Sequence, residues 1–166
     1  MLYCVTCVSA EKKIIQELQH MKNEVAEKLE VYLANIAISY VKMHNLHWNI
    51  KGTQFKAVHE YLEELYNAYG ETMDQVAELM RMQNHIPPAS MKEYLKLATI
   101  KELEGNILDT RKALEIVLLD IMELKSHALD IRLKAAAEDC FEVMNMMEDN
   151  IAEYSKNIWF IKSMLE

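Results

Sequence analysis

Two pairs of metal-binding side chains lie on one stretch of this sequence, His59 with Glu63 and Asp74 with Glu78. The members of each pair are four residues apart, so on a helix they share a face. Each pair is a two-point grip for a metal ion. Imidazole and carboxylate donors without thiolate suit first-row metals such as iron. A further histidine lies upstream in Leu46-His47-Trp48. A hairpin at Gly52 would fold His47 back toward His59, with Trp48 beside it as a shield.

The two pairs cannot reach one ion from one straight helix. Eleven residues separate Glu63 from Asp74. Eleven steps of about 100° return to nearly the same face, but they climb about 16 Å. Side chains reach only a few ångström, and metal–ligand bonds are about 2 Å. Two readings stay open on these grounds. The acids are unrelated members of a solvated helix face, or a second copy of the helix runs antiparallel to the first. In the second case a two-fold dimer joins the His59/Glu63 end of one copy to the Asp74/Glu78 end of the other. It does so twice, making two identical sites.

The elements that must carry these residues are helices. The 166 residues include only 3 Gly and 2 Pro. Such scarce turn punctuation, with many Leu, Met, Ala, Glu and Lys, argues for long helices. The first runs over about residues 9 to 50, with Ser9 as a cap and Glu11 in its first turn. The second covers about residues 53 to 84, with Val58, Leu62, Leu65, Tyr69, Val76 and Leu79 at helical spacing. Gly70 in its interior costs about 1 kcal/mol against Ala and points to close helix packing or to tolerance. Pro87 and Pro88 close it.

Ser90 with Glu93 reads as a capping box before a short helix. Thr99 with Glu102 reads as another, opening a third long segment through Leu103, Ile107, Leu114, Val117, Ile121 and Leu124. A fourth carries Met144, Met147, Ile151, Tyr154, Ile158 and Ile161. The join between the last two falls within residues 126 to 138, unmarked by Gly or Pro. The expected fold is all-α: one domain over residues 1–166, with 1–8 a loose tail. It is a ferritin-like four-helix bundle with a short helix in the connection between helices two and three.

Composition narrows the function classes. The chain is 51% hydrophobic and 27% charged, a globular balance rather than a disordered one. Its net charge of -8 attracts cations and not phosphate backbones, so DNA binding is not expected. No apolar run approaches the ~18 residues of a membrane span, and the opening residues lack the pattern of a signal peptide. Three cysteines, Cys4, Cys7 and Cys140, suggest a reducing, cytoplasmic setting. The lone Cys4-x-x-Cys7 reads as part of a frayed terminus. The 12 Met and Trp159 read as packing. His44 shares a face with His47. Glu17-x-x-His20 is a single E-x-x-H, so a di-iron site within one subunit is not expected.

The stretch from His44 to Met80 resembles the signature of the Dps family, the mini-ferritins. That family pairs L-H-W near the end of its first helix with F-x-x-x-H-E-x-x-x-x-L-Y and then D-x-x-A-E on its second. Here these are Leu46-His47-Trp48, Phe55 to Tyr66, and Asp74 to Glu78. The resemblance implies a hollow dodecamer with ferroxidase centres at its two-fold interfaces. His47, His59 and Glu63 would come from one subunit, and Asp74 and Glu78 from its partner. The implied reaction oxidises Fe(II), bound as one or two irons, to Fe(III), with hydrogen peroxide as the favoured oxidant. The ferric mineral is stored in the shell, which protects against oxidative damage.

Two features depart from the family. Asn84-His85-Ile86-Pro87 stands where it usually has Gly-Gly-x-Pro. Only Lys12 and Lys13 stand where DNA-binding members carry a Lys-rich tail. Glu138, Asp139 and Glu142 lie in the region of the family's ion-entry pores. The competing readings are a nucleoid-compacting DNA-binding protein with secondary iron chemistry, and a helical oligomer with no metal chemistry.

Overall fold

Apolar side chains at steps of three and four build the four long helices, and the faces they define meet in one core. The computed structural model describes residues 23–166. In chain order these form α1 (Asn23–Asn49), β1 (Ile50–Lys51), α2 (Phe55–Met82), α3 (Met91–Leu97), β2 (Leu108–Asp109), α4 (Thr110–Ala137) and α5 (Phe141–Leu165). The expectations for Cys4, Cys7, Ser9, Glu11, Lys12, Lys13, Glu17, His20 and the tail lie outside the described residues.

On α2 the buried stripe is Val58, Leu62, Leu65, Tyr69, Val76, Leu79 and Met80. On α4 it includes Leu114, Val117, Ile121, Leu124, Ala128 and Ile131. Each large side chain so buried stabilises the fold by about 1.5–3 kcal/mol. α1 differs. Residues from Tyr32 to Ser39 are all buried, because α2, α3 and α4 each pack on it. A helix enclosed on all sides can be apolar all round. Of the methionines, Met43, Met80 and Met147 are buried, but Met82, Met91 and Met122 are exposed. Trp159 is also exposed, its ring tilted against Phe160.

The hairpin α1–α2 and the pair α4–α5 are joined by the long crossover that carries α3. This returns the chain to the end it left, where β1 and β2 pair in parallel with Ile50 opposite Leu108. Ser90 caps α3 as expected: its hydroxyl accepts from the Glu93 amide and donates to the Glu93 carboxylate at 2.6 Å. These bonds, with one from the Ala89 amide, lower the Glu93 pKa.

One expected element boundary is corrected. Thr99 and Glu102 do not open a helix. The buried side chain of Asn35 accepts from the Thr99 and Ile100 amides at 2.8 and 3.0 Å and donates to the Thr99 hydroxyl, which holds the crossover extended. α4 begins instead at Thr110, capped by the Asp109 carboxylate on the Arg111 amide.

The α4–α5 join sits at residues 138–140, at the very end of the expected window. Asp139 takes φ 55 there, and the Cys140 amide returns to the Ala135 carbonyl. That is a Schellman turn with Asp in the position usually given to Gly. The end of α2 solves the missing Gly-Gly in the same way. Asn84 takes φ 64, and the His85 amide bonds the Met80 carbonyl at 2.9 Å. Asn and Asp tolerate this left-handed conformation better than other side chains do.

Candidate metal centre

The end of α1 and the start of α2 are held in register by the five-residue link between them. Gly52 has φ 136, and a Cβ there would stand 3.1 Å from both the Asp109 carboxylate and the Thr110 hydroxyl. Only glycine combines that conformation with that approach. The Phe55 amide returns to the Gly52 carbonyl, starting α2 at once.

This register stacks His47 on His59, with ring centroids 3.6 Å apart and planes 19° from parallel. The two rings are locked reciprocally. His47 Nδ1–H donates to the His59 carbonyl at 2.9 Å, and His59 Nδ1–H donates to the His47 carbonyl at 2.9 Å. A carbonyl oxygen only accepts, so each Nδ1 must carry a proton. In the neutral ring Nε2 then holds a free lone pair. Bonding at one ring nitrogen is the usual way proteins fix a histidine's tautomer for metal binding at the other. Neither Nε2 has a hydrogen bond within the described residues. Phe55 stacks on the outer face of His59 at 5.1 Å.

Glu63 lies one turn beyond His59 and is exposed. Loss of water around the ring, and then the adjacent Glu63 charge, raise the Tyr66 pKa. Tyr66 stands edge-on to His47 at 5.3 Å and stacks on His44 at 3.9 Å. His44 Nδ1–H donates to the Tyr40 carbonyl. Trp48 does not cover the site in one chain: it is 69% exposed and meets only the edge of His44.

α2 runs unbroken from Phe55 to Met82, so Asp74 and Glu78 stay at the distance their spacing sets. Both are exposed, and Glu78 borders a surface depression with Ala77, Arg81 and Met82. Gly70, between the two pairs, admits the Tyr40 ring of α1, which a Cβ would meet at 3.4 Å. Of the five candidates the fold therefore brings His47 and His59 together with Glu63 adjacent, and leaves Asp74 and Glu78 apart. Among the described residues no three His, Cys, Asp or Glu side chains group closely enough to hold a metal ion. Tyr66 is the neighbour that spacing alone did not single out, although it lies seven residues after His59 on the same face.

A second polar cluster lies inside the bundle. Tyr32 and Tyr154 bond through their hydroxyls at 2.6 Å, and Asn150 donates to Tyr32 at 3.1 Å. Tyr61 donates to Asn157. Burial drives the Tyr32 and Tyr154 pKa values well up. The Lys42 ammonium sits 2.8 Å from Asp120, both nearly buried. Burial raises the Asp120 pKa, and Lys42 partly offsets that rise. No helix of the described residues is long and apolar enough to cross a membrane.

Known proteins share this architecture. The model of the ferritin-like domain family matches residues 26–166. Antigen TpF1 of Treponema pallidum is 32% identical over 142 residues, which cover 86% of this chain and 80% of that protein. The crystal structure of a Dps protein from Bacillus brevis superposes with a TM-score of 0.83 at 31% identity, covering 88% of this chain and 100% of that one. A Dps protein from Vibrio cholerae, described as a member of a broad superfamily of ferritin-like diiron-carboxylate proteins, superposes with a TM-score of 0.83 at 28% identity. It covers 92% of each chain.

Proposed function

The chain belongs to the Dps family of ferritin-like proteins, and we propose that it is a mini-ferritin that oxidises Fe(II) and stores the Fe(III) product as mineral inside a hollow dodecamer of the same chain. The observation that carries the proposal is the reciprocal lock between His47 and His59. It fixes both rings in the tautomer that leaves Nε2 unprotonated, as iron ligation requires. Iron is the substrate. His47, His59 and Glu63 of one subunit supply part of its ligand set. Asp74 and Glu78 of the partner subunit supply the rest across a two-fold axis. The 16 Å rise between the pairs, by about 1.5 Å per residue, supports that division.

Hydrogen peroxide is the favoured oxidant in this reading. Two Fe(II) ions each give one electron, the O–O bond breaks, and two hydroxides and two Fe(III) ions result. Supplying both electrons at one site keeps the one-electron product, hydroxyl radical, from escaping. The exposed carboxylates and the net charge of -8 favour cation entry. The odd cysteine count fits a cytoplasmic setting. The same net charge weighs against DNA as a partner.

The test adds Fe(II) anaerobically, then peroxide, and follows Fe(III) absorbance. Rapid oxidation by the wild type and loss of at least about 100-fold in rate in His59→Ala with Asp74→Ala are expected, since even the outer partners of metal ligands are worth 10–100-fold. Unchanged oxidation in the double variant would overturn the assignment.

A further inference from the structure

A second set of donor atoms lies where the crossover meets α4, well away from the histidine stack. Glu123 and His127 are four residues apart on α4 and share a face. The Thr99 hydroxyl of the crossover contacts both. Thr99 Oγ1 is 2.5 Å from Glu123 Oε1 and 3.2 Å from His127 Nε2, and those two atoms are 3.9 Å apart. Asn35, which anchors the other side of the hydroxyl, precedes His47 by twelve residues on α1, a rise of about 18 Å.

Holding the crossover does not need all of these groups. Asn35 alone accepts from the Thr99 and Ile100 amides and donates to the Thr99 hydroxyl at 3.0 Å. That hydroxyl has one proton, and it donates to Glu123. With the His127 proton on Nδ1, three atoms bearing lone pairs share the single hydroxyl proton. Bonds of about 2.0–2.2 Å to a tetrahedral ion set neighbouring donors about 3.3–3.6 Å apart. The three separations here need change by less than about 1 Å to match that span, and Thr99 is exposed and Glu123 half-buried. The approach is acidic. His127 borders a surface cavity with Glu24, Glu27 and Asp130. Lys28 also lines it, but its ammonium is paired with Asp130 at 2.6 Å.

We propose that Thr99, Glu123 and His127 form a second divalent-cation site, for a first-row metal, which pins the crossover to α4. Imidazole with carboxylate suits zinc or iron better than magnesium or calcium. The hydroxyl completes the set, as Ser and Thr hydroxyls do for the divalent cation of phosphate-binding loops. A fourth position is left for water. The site is independent of the iron-site reading.

The probe is Zn(II) alone, titrated by calorimetry into the assembled full-length protein carrying His59→Ala and Asp74→Ala, in which both halves of the proposed iron site are already broken. About one Zn(II) per chain should still bind and should raise the thermal midpoint. His127→Ala and Glu123→Gln, each added to that background, should weaken binding by at least about tenfold. Glu123→Gln keeps an acceptor for the Thr99 hydroxyl, so its metal-free midpoint should equal that of the background. Thr99→Val, which removes the hydroxyl at nearly constant shape, should weaken binding by less, since a neutral hydroxyl is the weakest of the three donors.

No Zn(II) uptake by the background protein would overturn the proposal and leave the iron-site reading standing. Uptake unchanged by His127→Ala or Glu123→Gln would overturn it too, marking an adventitious surface ion only. Unchanged affinity in Thr99→Val would remove the crossover from the site, and with it the proposal.

Discussion

Inside the bundle, the Tyr32 and Tyr154 hydroxyls bond each other and Lys42 pairs with Asp120; at the hairpin end, His47 and His59 spend only one ring nitrogen each, on backbone carbonyls. Both regions are polar, and both sit between helices. The interior groups are turned toward one another, because a buried polar atom without a partner costs about 1–3 kcal/mol. The hairpin groups are turned so that a donor atom remains for something else. Helix bundles commonly build metal sites from inward-facing carboxylates and histidines. Among the described residues this interior holds phenols, amides and the Lys42–Asp120 pair instead, and the candidate ligands lie at the hairpin end and along the outer face of α2. On the function proposed here, structure lies in the core and chemistry at a surface that a second chain would complete.

The largest effect tests that last step. His59→Ala and Asp74→Ala chains should each lose iron oxidation. After subunit exchange, each dimer containing one of each should regain one of its two sites. In that dimer the intact His59 of one chain meets the intact Asp74 of the other. Stopped-flow Fe(III) absorbance on the mixture measures it. No recovery after exchange proven by mass spectrometry would mean that the two pairs do not share an ion, and the contrast between closed core and open end would lose its functional half.

The interior half of the comparison breaks differently. Asp120→Asn leaves the Lys42 charge buried without its counter-charge and should cost about 3–5 kcal/mol. Replacing the pair together, as Lys42→Met with Asp120→Leu, should be near neutral or stabilising. The pH dependence has a definite sign. Folding raises the Asp120 pKa, so the folded state holds this proton more tightly than the unfolded chain does. The group's contribution to stability is fully present below the unfolded value of about 3.9. It is lost as pH rises through the folded value. The double variant has no such loss, so its thermal midpoint should gain on the wild type as pH climbs from about 4. Equal midpoints at every pH would mean that Asp120 ionises without penalty and that the core is wetter than its burial implies.

Both regions were only partly legible in the sequence. The helices and the meeting of His47 with His59 followed from periodicity and from Gly52, which are local signals. The start of α4 did not. Thr99-x-x-Glu102 has the form of a capping box, but Asn35 on α1, far away in sequence, occupies the Thr99 backbone and hydroxyl. The turns at Asn84 and Asp139 were hidden because these residues take a conformation usually signalled by Gly. The pairing of β1 with β2 is too short to leave a pattern. For the site, spacing on α2 singled out both candidate pairs, which remain proposed ligands. It could not show that Nδ1 of each histidine is tied to backbone, or that Tyr66 bridges α2 to His44 and His47. Those contacts cross between helices and depend on rotamers. The division of the ligands between subunits is an inference from helix rise, which the unbroken course of α2 leaves standing.

The smallest effect separates two tyrosines that the core treats differently. Tyr154 and Tyr69 are both buried in the bundle. The Tyr154 hydroxyl bonds Tyr32, whereas the Tyr69 hydroxyl has no hydrogen-bond partner among the described residues. Removing a hydroxyl that makes a bond loses the bond and strands part of its partner; removing one that makes none relieves an unsatisfied group. Tyr154→Phe should therefore lower stability by about 1 kcal/mol, limited because Asn150 still donates to Tyr32. Tyr69→Phe should leave stability unchanged or raise it by up to about 1 kcal/mol. Both variants keep the ring, so packing is held constant and the sign of the difference isolates the hydroxyl. Thermal midpoints of the two variants, measured side by side, decide it. If Tyr69→Phe proved the more costly, its hydroxyl would have a partner of its own, and the Tyr32–Tyr154 pair would not be the polar centre of the core. Neither change should alter iron oxidation, because the proposed iron ligands lie at the other end of the comparison.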